Sequence, residues 1–446
     1  MKYSIEISFQ MTIFASQNWQ FCQNYDTNME LKREQYLKQL IDGKNNGLIK
    51  IVTGIRRCGK SYLLFKLFYR HLISNGVQED HIIRIALDDI ENEPLREPMT
   101  LYKEIKSRIA DDGLHYVLLD EVQLVPRFED VLNSLLRIEN VDTYVTGSNS
   151  KFLSSDIVTE FRGRGDEIRV YPLSFSEYCS GTNLSANEAW KDYYTYGGLP
   201  LILSINSPKK RTDYLSNLYK SVYLIDIIER QGIKNRMEFE RLADTTASCI
   251  GTPTNPTKLS NTFKTEIKSS ISPATIDNYL DYMRDAFLLE KAVRFDIKGK
   301  KYIKGLAKYY FTDVGIRNAA LGMRQLEETH IMENIIFNEL RIRGFNVDVG
   351  ALEQRSVSDD GKWQRKQLEV DFVANSGSQR YYIQSALTIP DDEKRRQETA
   401  SLLKINDAFR KIIVVRDDIK PWIDDNGILT VGLFEFLLKK EWTDFE

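Results

Sequence analysis

Residues 54–61 read GIRRCGKS, which places Gly54, Gly59, Lys60 and Ser61 in the spacing G-x-x-x-x-G-K-[ST]. Phosphate oxygens must approach main-chain N–H groups closely, and side chains at the two glycine positions would block them. The apolar run LIKIVTGI precedes the loop, and KSYLLFKLFYRHLISNG follows it with helical spacing up to Gly76. A turn of this kind aims its amides, and the positive end of the following helix, at an anion. Lys60 can reach the β- and γ-phosphates of a nucleotide, and the Ser61 hydroxyl can ligate Mg²⁺. The stretch expected to touch the nucleotide is Gly54, Ile55, Arg56, Arg57, Cys58, Gly59, Lys60, Ser61 and Tyr62. Arg56 and Arg57 read first as solvated, or as paired with local acids.

A second strand, HYVLLDEVQ, ends in Asp120 and Glu121. Asp120 at the strand tip can hold Mg²⁺ through water, and Glu121 is placed to polarise an attacking water as a general base. Further on, DTYVTGSNSKFL reads as a strand that could lie between the two motif strands and end in Ser148 or Asn149. Asn149 is the candidate sensor of the γ-phosphate; the alternative is a plain Ser/Asn turn. In EFRGRGDEIRVYPLSFSEY, Arg162 and Arg164 sit in a Gly-containing loop. Arg164 is the candidate arginine finger, reaching the γ-phosphate held by a neighbouring subunit; the alternative is a surface arginine or an acid's partner.

These groups need a scaffold, and its pattern is legible. From about 48 to 170, short apolar strands alternate with amphipathic helices, which argues for a parallel sheet covered on both faces. Residues 185–250 read as mostly helical. From about 327 a helix and the apparent strands NVDVGAL, QLEVDFVA, RYYIQSAL and RKIIVVRDD form a second α/β unit. The chain has 446 residues, which implies two to four domains. Apolar residues make up 42% and charged residues 28%, with a net charge of −3, so nucleic-acid binding is not written into the bulk charge. Cys22, Cys58, Cys179 and Cys249 are scattered without metal-ligand spacing and suit a reducing cytoplasm. No apolar run approaches the length that spans a bilayer. Residues 1–28 read as a flexible extension ahead of Met29, which opens an amphipathic helix.

Taken in order, TGIRRCGKSYLL, YVLLDEVQ, TGSNSKFLSS, FRGRGDEIRVYPLSFSEY, YGGLP, ATIDNYLDYMRDAFLLEK, KYYFTDVGIRNA and MENIIFNELRIRG resemble the prokaryotic AAA-type ATPases that join a P-loop domain to a winged helix and a C-terminal domain of unknown function. The resemblance covers most of residues 30–440. It implies a P-loop NTPase core followed by a helical lid.

Within SSISPATIDNYLDYMRDAFLLEKAVRF, Ser272 could cap a helix whose Ile276, Leu280 and Met283 face a core, as in the second helix of a helix-turn-helix. Residues 294–308 then carry Arg294, Lys298, Lys300, Lys301, Lys304 and Lys308 against Asp296 alone, a basic wing suited to phosphates. Asp277, Asp281 and Asp285 on the helix argue against DNA, and a domain that only packs on the ATPase or a partner is the alternative.

MENIIFNEL and QLEVDFVANSGSQRYYIQSAL resemble the restriction-endonuclease core. Glu333 and Asp371 match its first two acids, but Gln384-Ser385-Ala386 stands where an acid and a lysine are required. One carboxylate and the lysine are missing, Glu369 is a weak substitute, and nuclease activity is not expected.

The expected architecture is therefore α/β: a P-loop NTPase parallel sheet with a helical lid, a winged-helix domain and a C-terminal α/β restriction-endonuclease-like domain. The expected divisions are 1–28, 29–180 (ATPase core), 181–255 (lid), 256–325 (winged helix) and 326–446. The expected function is an ATPase that binds and hydrolyses Mg–ATP to move its C-terminal domains. The catalytic residues are Lys60, Glu121, Asn149 and Arg164, and Ser61 and Asp120 hold the metal. A nucleotide-gated DNA-binding or scaffold protein with little turnover, and an ATP-dependent nuclease, are the alternatives. Candidate partners are ATP, DNA through residues 272–308 and a second copy of the chain, with no membrane and a cytoplasmic location.

Overall fold

The computed structural model describes residues 31–147, 163–266, 268–357 and 363–439. Five strands form the first sheet: β1 (Ile49–Thr53), β2 (Ile82–Ala86), β3 (His115–Asp120), β4 (Val141–Thr146) and β5 (Gly165–Arg169). Their order is β2-β3-β4-β1-β5 and every pairing is parallel. Parallel strands covered on both faces read as continuous apolar runs, and β1 and β3 are buried at every position. As the sequence suggested, β4 lies between the two motif strands.

The helix after the loop runs through Lys60–Tyr62, Leu63–Phe68 and Tyr69–Ser74, with π-type pairing in its middle part. Its Leu63, Leu64, Leu67, Phe68 and Leu72 are buried against the sheet. Gly76, at φ 85°, turns the chain out of it in a conformation that glycine adopts without strain.

Helices Phe175–Ser180, Ala186–Tyr196 and the broken helix Pro208–Asn217, Leu218–Leu224, Ile225–Arg230 follow. Helices Arg236–Ser248, Pro256–Glu266 and Pro273–Asp285 come next, the last capped by Ser272 with Ile276, Leu280 and Met283 buried. A hairpin of β6 (Leu289–Asp296) and β7 (Lys301–Phe311) completes a three-helices-plus-hairpin arrangement.

The second sheet adds β8 (Asn346–Val357), β9 (Trp363–Ser376), β10 (Gln379–Ala386), β11 (Arg410–Val415), β12 (Trp422–Ile423) and β13 (Ile428–Gly432). Its order is β12-β13-β11-β10-β9-β8-β6-β7. The hairpin read as a wing is the edge of the C-terminal sheet, with β6 pairing parallel to β8 at Arg294–Val349 through Asp296–Ala351. The cause is visible in β6 and just beyond it. Ala292 is buried in one core cluster while Phe295 and Ile297 are buried in another, so the strand is sandwiched on both faces and its second edge finds a partner. Helix Glu328–Ile342 covers one face of this sheet, burying Ile331, Ile335, Ile336 and Leu340. Among the described residues, no helix is long and apolar enough to cross a membrane.

Candidate nucleotide site

β1 delivers its loop at the C-terminal edge of the parallel sheet, where open α/β sheets bind ligands. Gly54 has φ 137°, and a Cβ there would stand 2.1 Å from the Val170 carbonyl oxygen. Gly59 has φ 99°. Both positions therefore require glycine, Gly54 for space as well as conformation. Ile55 and Cys58 are fully buried, with Cys58 Sγ 3.4 Å from Val170 O. Their side chains anchor the loop in the core, so only their main chain can face a ligand. Arg57 is exposed at φ 67°. Tyr62 is half-buried and stacks under Lys66, whose Nζ lies 5.3 Å from the ring.

Lys60 is 5% exposed, and its Nζ donates to Gly54 O at 3.0 Å and Ile55 O at 3.1 Å. The ammonium is thus held over its own loop by neutral carbonyls. Ser61 lies near enough to the Asp120 carboxylate to favour its charged form, and that carboxylate accepts from Thr146 Oγ1 at the tip of β4. Thr146 Oγ1 in turn accepts from Glu121 N–H at 3.0 Å, joining the ends of β3 and β4. Glu121 takes φ 54°, and its carboxylate accepts from Gln123 Nε2. Burial, and then the charge of Glu121, push Asp120 up to about 6, with Asp88 beyond β2 adding to the effect. A hydroxyl beside a carboxylate, with two further acids close by, forms a hard-oxygen donor set with surplus negative charge, which suits Mg²⁺.

Residues of the broken helix 208–230 grip the loop from outside. Arg56 pairs with Asp226 at 3.1 Å, and Tyr223 donates to Arg56 O at 2.9 Å. Arg230 pairs with the same Asp226 and feels the charge of Glu121. Arg56 thus meets an acid from a distant part of the chain. Pro200 of YGGLP lies against Gly59. Gly198 N–H then donates to Asp313 at 2.8 Å, and Gly198 O accepts from Leu173 N–H at 2.7 Å. Asp313 is buried, also accepts from Ile316 N–H, and is pushed up to about 6 by that burial.

Ser148, Asn149 and Arg162 lie outside the described residues. Arg164 stands at the opposite, N-terminal edge of the sheet: its carbonyl accepts from Ile49 N–H and its guanidinium reaches Asn133 at 3.5 Å. A strand of this length separates the two edges by roughly 16 Å, so Arg164 is not brought to the loop of its own chain. Sequence reasoning missed Thr146, Asp226 and Arg230. Thr146 had one available signal, its place at the end of the strand expected between the two motifs.

In the C-terminal unit the structure gathers Glu333, Glu369 and Asp371 around Lys308. Lys308 and Arg294, counted from sequence in a basic wing, are buried, whereas Lys298, Lys300 and Lys301 are exposed. On the preceding helix, Asp281 is paired with Arg284 at 2.5 Å.

Residues 46–179 match the model of a family described as an AAA domain, and residues 187–327 match a domain of unknown function (DUF8612). An uncharacterized protein of Methanocaldococcus jannaschii is 28% identical over 393 residues, 83% of this chain and 82% of that one. Among solved structures, the Walker-type ATPase of Pyrococcus abyssi is similar at 14% identity and a TM-score of 0.47, covering 66% of this chain and 96% of that one. AMPPCP-bound DnaA from Aquifex aeolicus is similar at 15% identity and a TM-score of 0.29, covering 56% and 85%. An uncharacterized protein of Haemophilus influenzae is 34% identical over 416 residues, 92% of this chain and 99% of that one. The chain belongs to the same family as this Haemophilus influenzae protein, and within it residues 46–179 match an AAA domain.

Proposed function

We propose that this chain binds and hydrolyses Mg–ATP at the loop 54–61 and uses the nucleotide state to shift its lid and C-terminal sheet. The observation that carries the proposal is Ser61 placed near the Asp120 carboxylate beside a buried Lys60 whose hydrogen-bond partners, among the described residues, are main-chain carbonyls. Incoming phosphate oxygens are stronger acceptors than those carbonyls, so the Lys60 ammonium transfers to the β- and γ-phosphates. Ser61 and Asp120 would hold Mg²⁺, which would supply positive charge against the phosphates. Glu121 polarises the attacking water. Asn149 senses the γ-phosphate, and Arg164 acts only on a neighbouring subunit's nucleotide, which makes a homo-oligomer the working form.

The route outward runs through Pro200 against Gly59, Gly198 on Asp313, and Tyr223 on the Arg56 carbonyl. Movement of the loop therefore pulls on the helix that starts at Val314, and on the lid. The exposed Lys298, Lys300 and Lys301 are the remaining candidates for DNA phosphates.

A second reading, a nucleotide-gated scaffold with little turnover, is favoured by the Gln123 bond that occupies the Glu121 carboxylate. Glu121→Gln separates the two. The ATPase reading expects ATP hydrolysis to fall about 10²–10⁴-fold while ATP binding is retained. Absence of hydrolysis by the unmodified chain, with binding intact, selects the scaffold.

A further inference from the structure

We propose that the Lys308 ammonium is the resident cation of a carboxylate cage in the C-terminal unit, standing where a divalent metal ion would otherwise be held. The cage is assembled from three separate elements. Glu333 comes from helix Glu328–Ile342, Glu369 and Asp371 from β9, and Lys308 from β7. Lys308 Nζ lies 2.9 Å from Glu333, 2.9 Å from Glu369 and 4.0 Å from Asp371. Its side chain is only 4% exposed. Tyr310 donates to the same oxygen of Glu333 at 2.8 Å, and Ser385 N–H donates to Asp371 at 2.8 Å. Gly251, whose added Cβ would stand 3.0 Å from the Glu333 carboxylate, closes one side.

A point ringed by carboxylate oxygens from separate elements is what a hard divalent ion requires. Here a fixed positive charge already occupies that point. Burial alone would push the Lys308 ammonium down, but Glu333, Asp371 and Glu369 reverse this and raise it above its ordinary value, so it stays charged. A divalent ion entering the ring would meet this charge at contact distance. The remaining imbalance, three carboxylates against one ammonium, is reduced by a proton to one negative charge, because burial and then Glu333 push Asp371 up to about 8. The facing strand offers Gln384, Ser385 and Ala386, which add no further anion. The cage therefore needs no metal, and it joins β7, the covering helix and β9 into one ion cluster.

Mn²⁺ binding to the full-length chain tests this, counted by electron paramagnetic resonance without nucleotide, with folding of each variant checked by circular dichroism. The unmodified chain and Asp371→Asn are expected to bind the same number of Mn²⁺ ions. Lys308→Met is expected to bind one more, and Lys308→Met/Asp371→Asn to lose it again. Loss of a bound ion on introducing Asp371→Asn into the unmodified chain overturns the proposal, and this comparison does not depend on the folding of Lys308→Met. A folded Lys308→Met that gains no ion overturns it as well.

Discussion

The two sheets each bury a lysine close to converging acids, and they treat it in opposite ways. Lys60 rests on Gly54 O and Ile55 O, while the nearby acid Asp120 sits at the end of β3 and accepts from Thr146 of β4. Lys308 is clasped directly by Glu333 and Glu369. An ammonium held by neutral carbonyls keeps its charge available to an incoming anion. An ammonium already neutralised by carboxylates is committed to holding the structure. The same residue type, equally buried, is thus a ligand group in one unit and an internal counter-ion in the other.

The largest expected effect comes from breaking the second lysine. Lys308→Ala leaves three carboxylates facing one another in a buried cluster, and should lower the stability of the C-terminal unit by about 3–5 kcal/mol in denaturant unfolding. Lys60→Ala, which removes bonds to main-chain carbonyls only, should lower the stability of the nucleotide-free chain by about 1 kcal/mol. Equal losses would erase the contrast.

A smaller effect is expected at Thr146. Thr146→Val keeps the shape of the strand tip but removes the donor to Asp120 and the acceptor for Glu121 N–H. It should cost about 1–3 kcal/mol of Mg²⁺-dependent nucleotide affinity, read as a weaker response to Mg²⁺ in an ATP titration. An unchanged response would show that Asp120 is positioned without it.

A further effect is in the pH dependence. Asp371 has a folded-state value raised to about 8 from 3.8. A raised acid contributes stability that is fully present below its unfolded value and is lost as pH rises through the folded one. The C-terminal unit should therefore lose stability between about pH 4 and pH 8, and Asp371→Asn should flatten that slope. Asp120, raised to about 6 from 3.8, follows the same sign over a narrower window. It should also weaken Mg²⁺ binding below about pH 6, where its proton competes with the metal.

The difference between the two units also explains what was legible in the sequence. GIRRCGKS and HYVLLDEVQ could be read because each is a local strand-to-loop device whose residue types have few other uses. The placement of β4 between β1 and β3 followed from the same logic. Thr146 was hidden because a threonine ending a strand is ordinary until its neighbours are known.

The Lys308 cage was hidden for a stronger reason. Residues 308, 333, 369 and 371 meet only after β6 and β7 join a sheet whose other strands begin at Asn346. Read along the chain, Lys308 looked like the last of a run of solvated wing lysines, whereas its alternation with Tyr310 places both against Glu333. No lysine stands within Gln384-Ser385-Ala386 in the sequence. What could not be seen was that a lysine from another strand reaches the same carboxylates.

The central claim is that Lys60 and the loop around it hold a nucleotide triphosphate, and calorimetric titration of Mg–ATP into the purified chain and into Lys60→Ala tests it most directly. The account predicts saturable binding of one ATP per chain that is abolished in the variant. Identical heats from both proteins would contradict it.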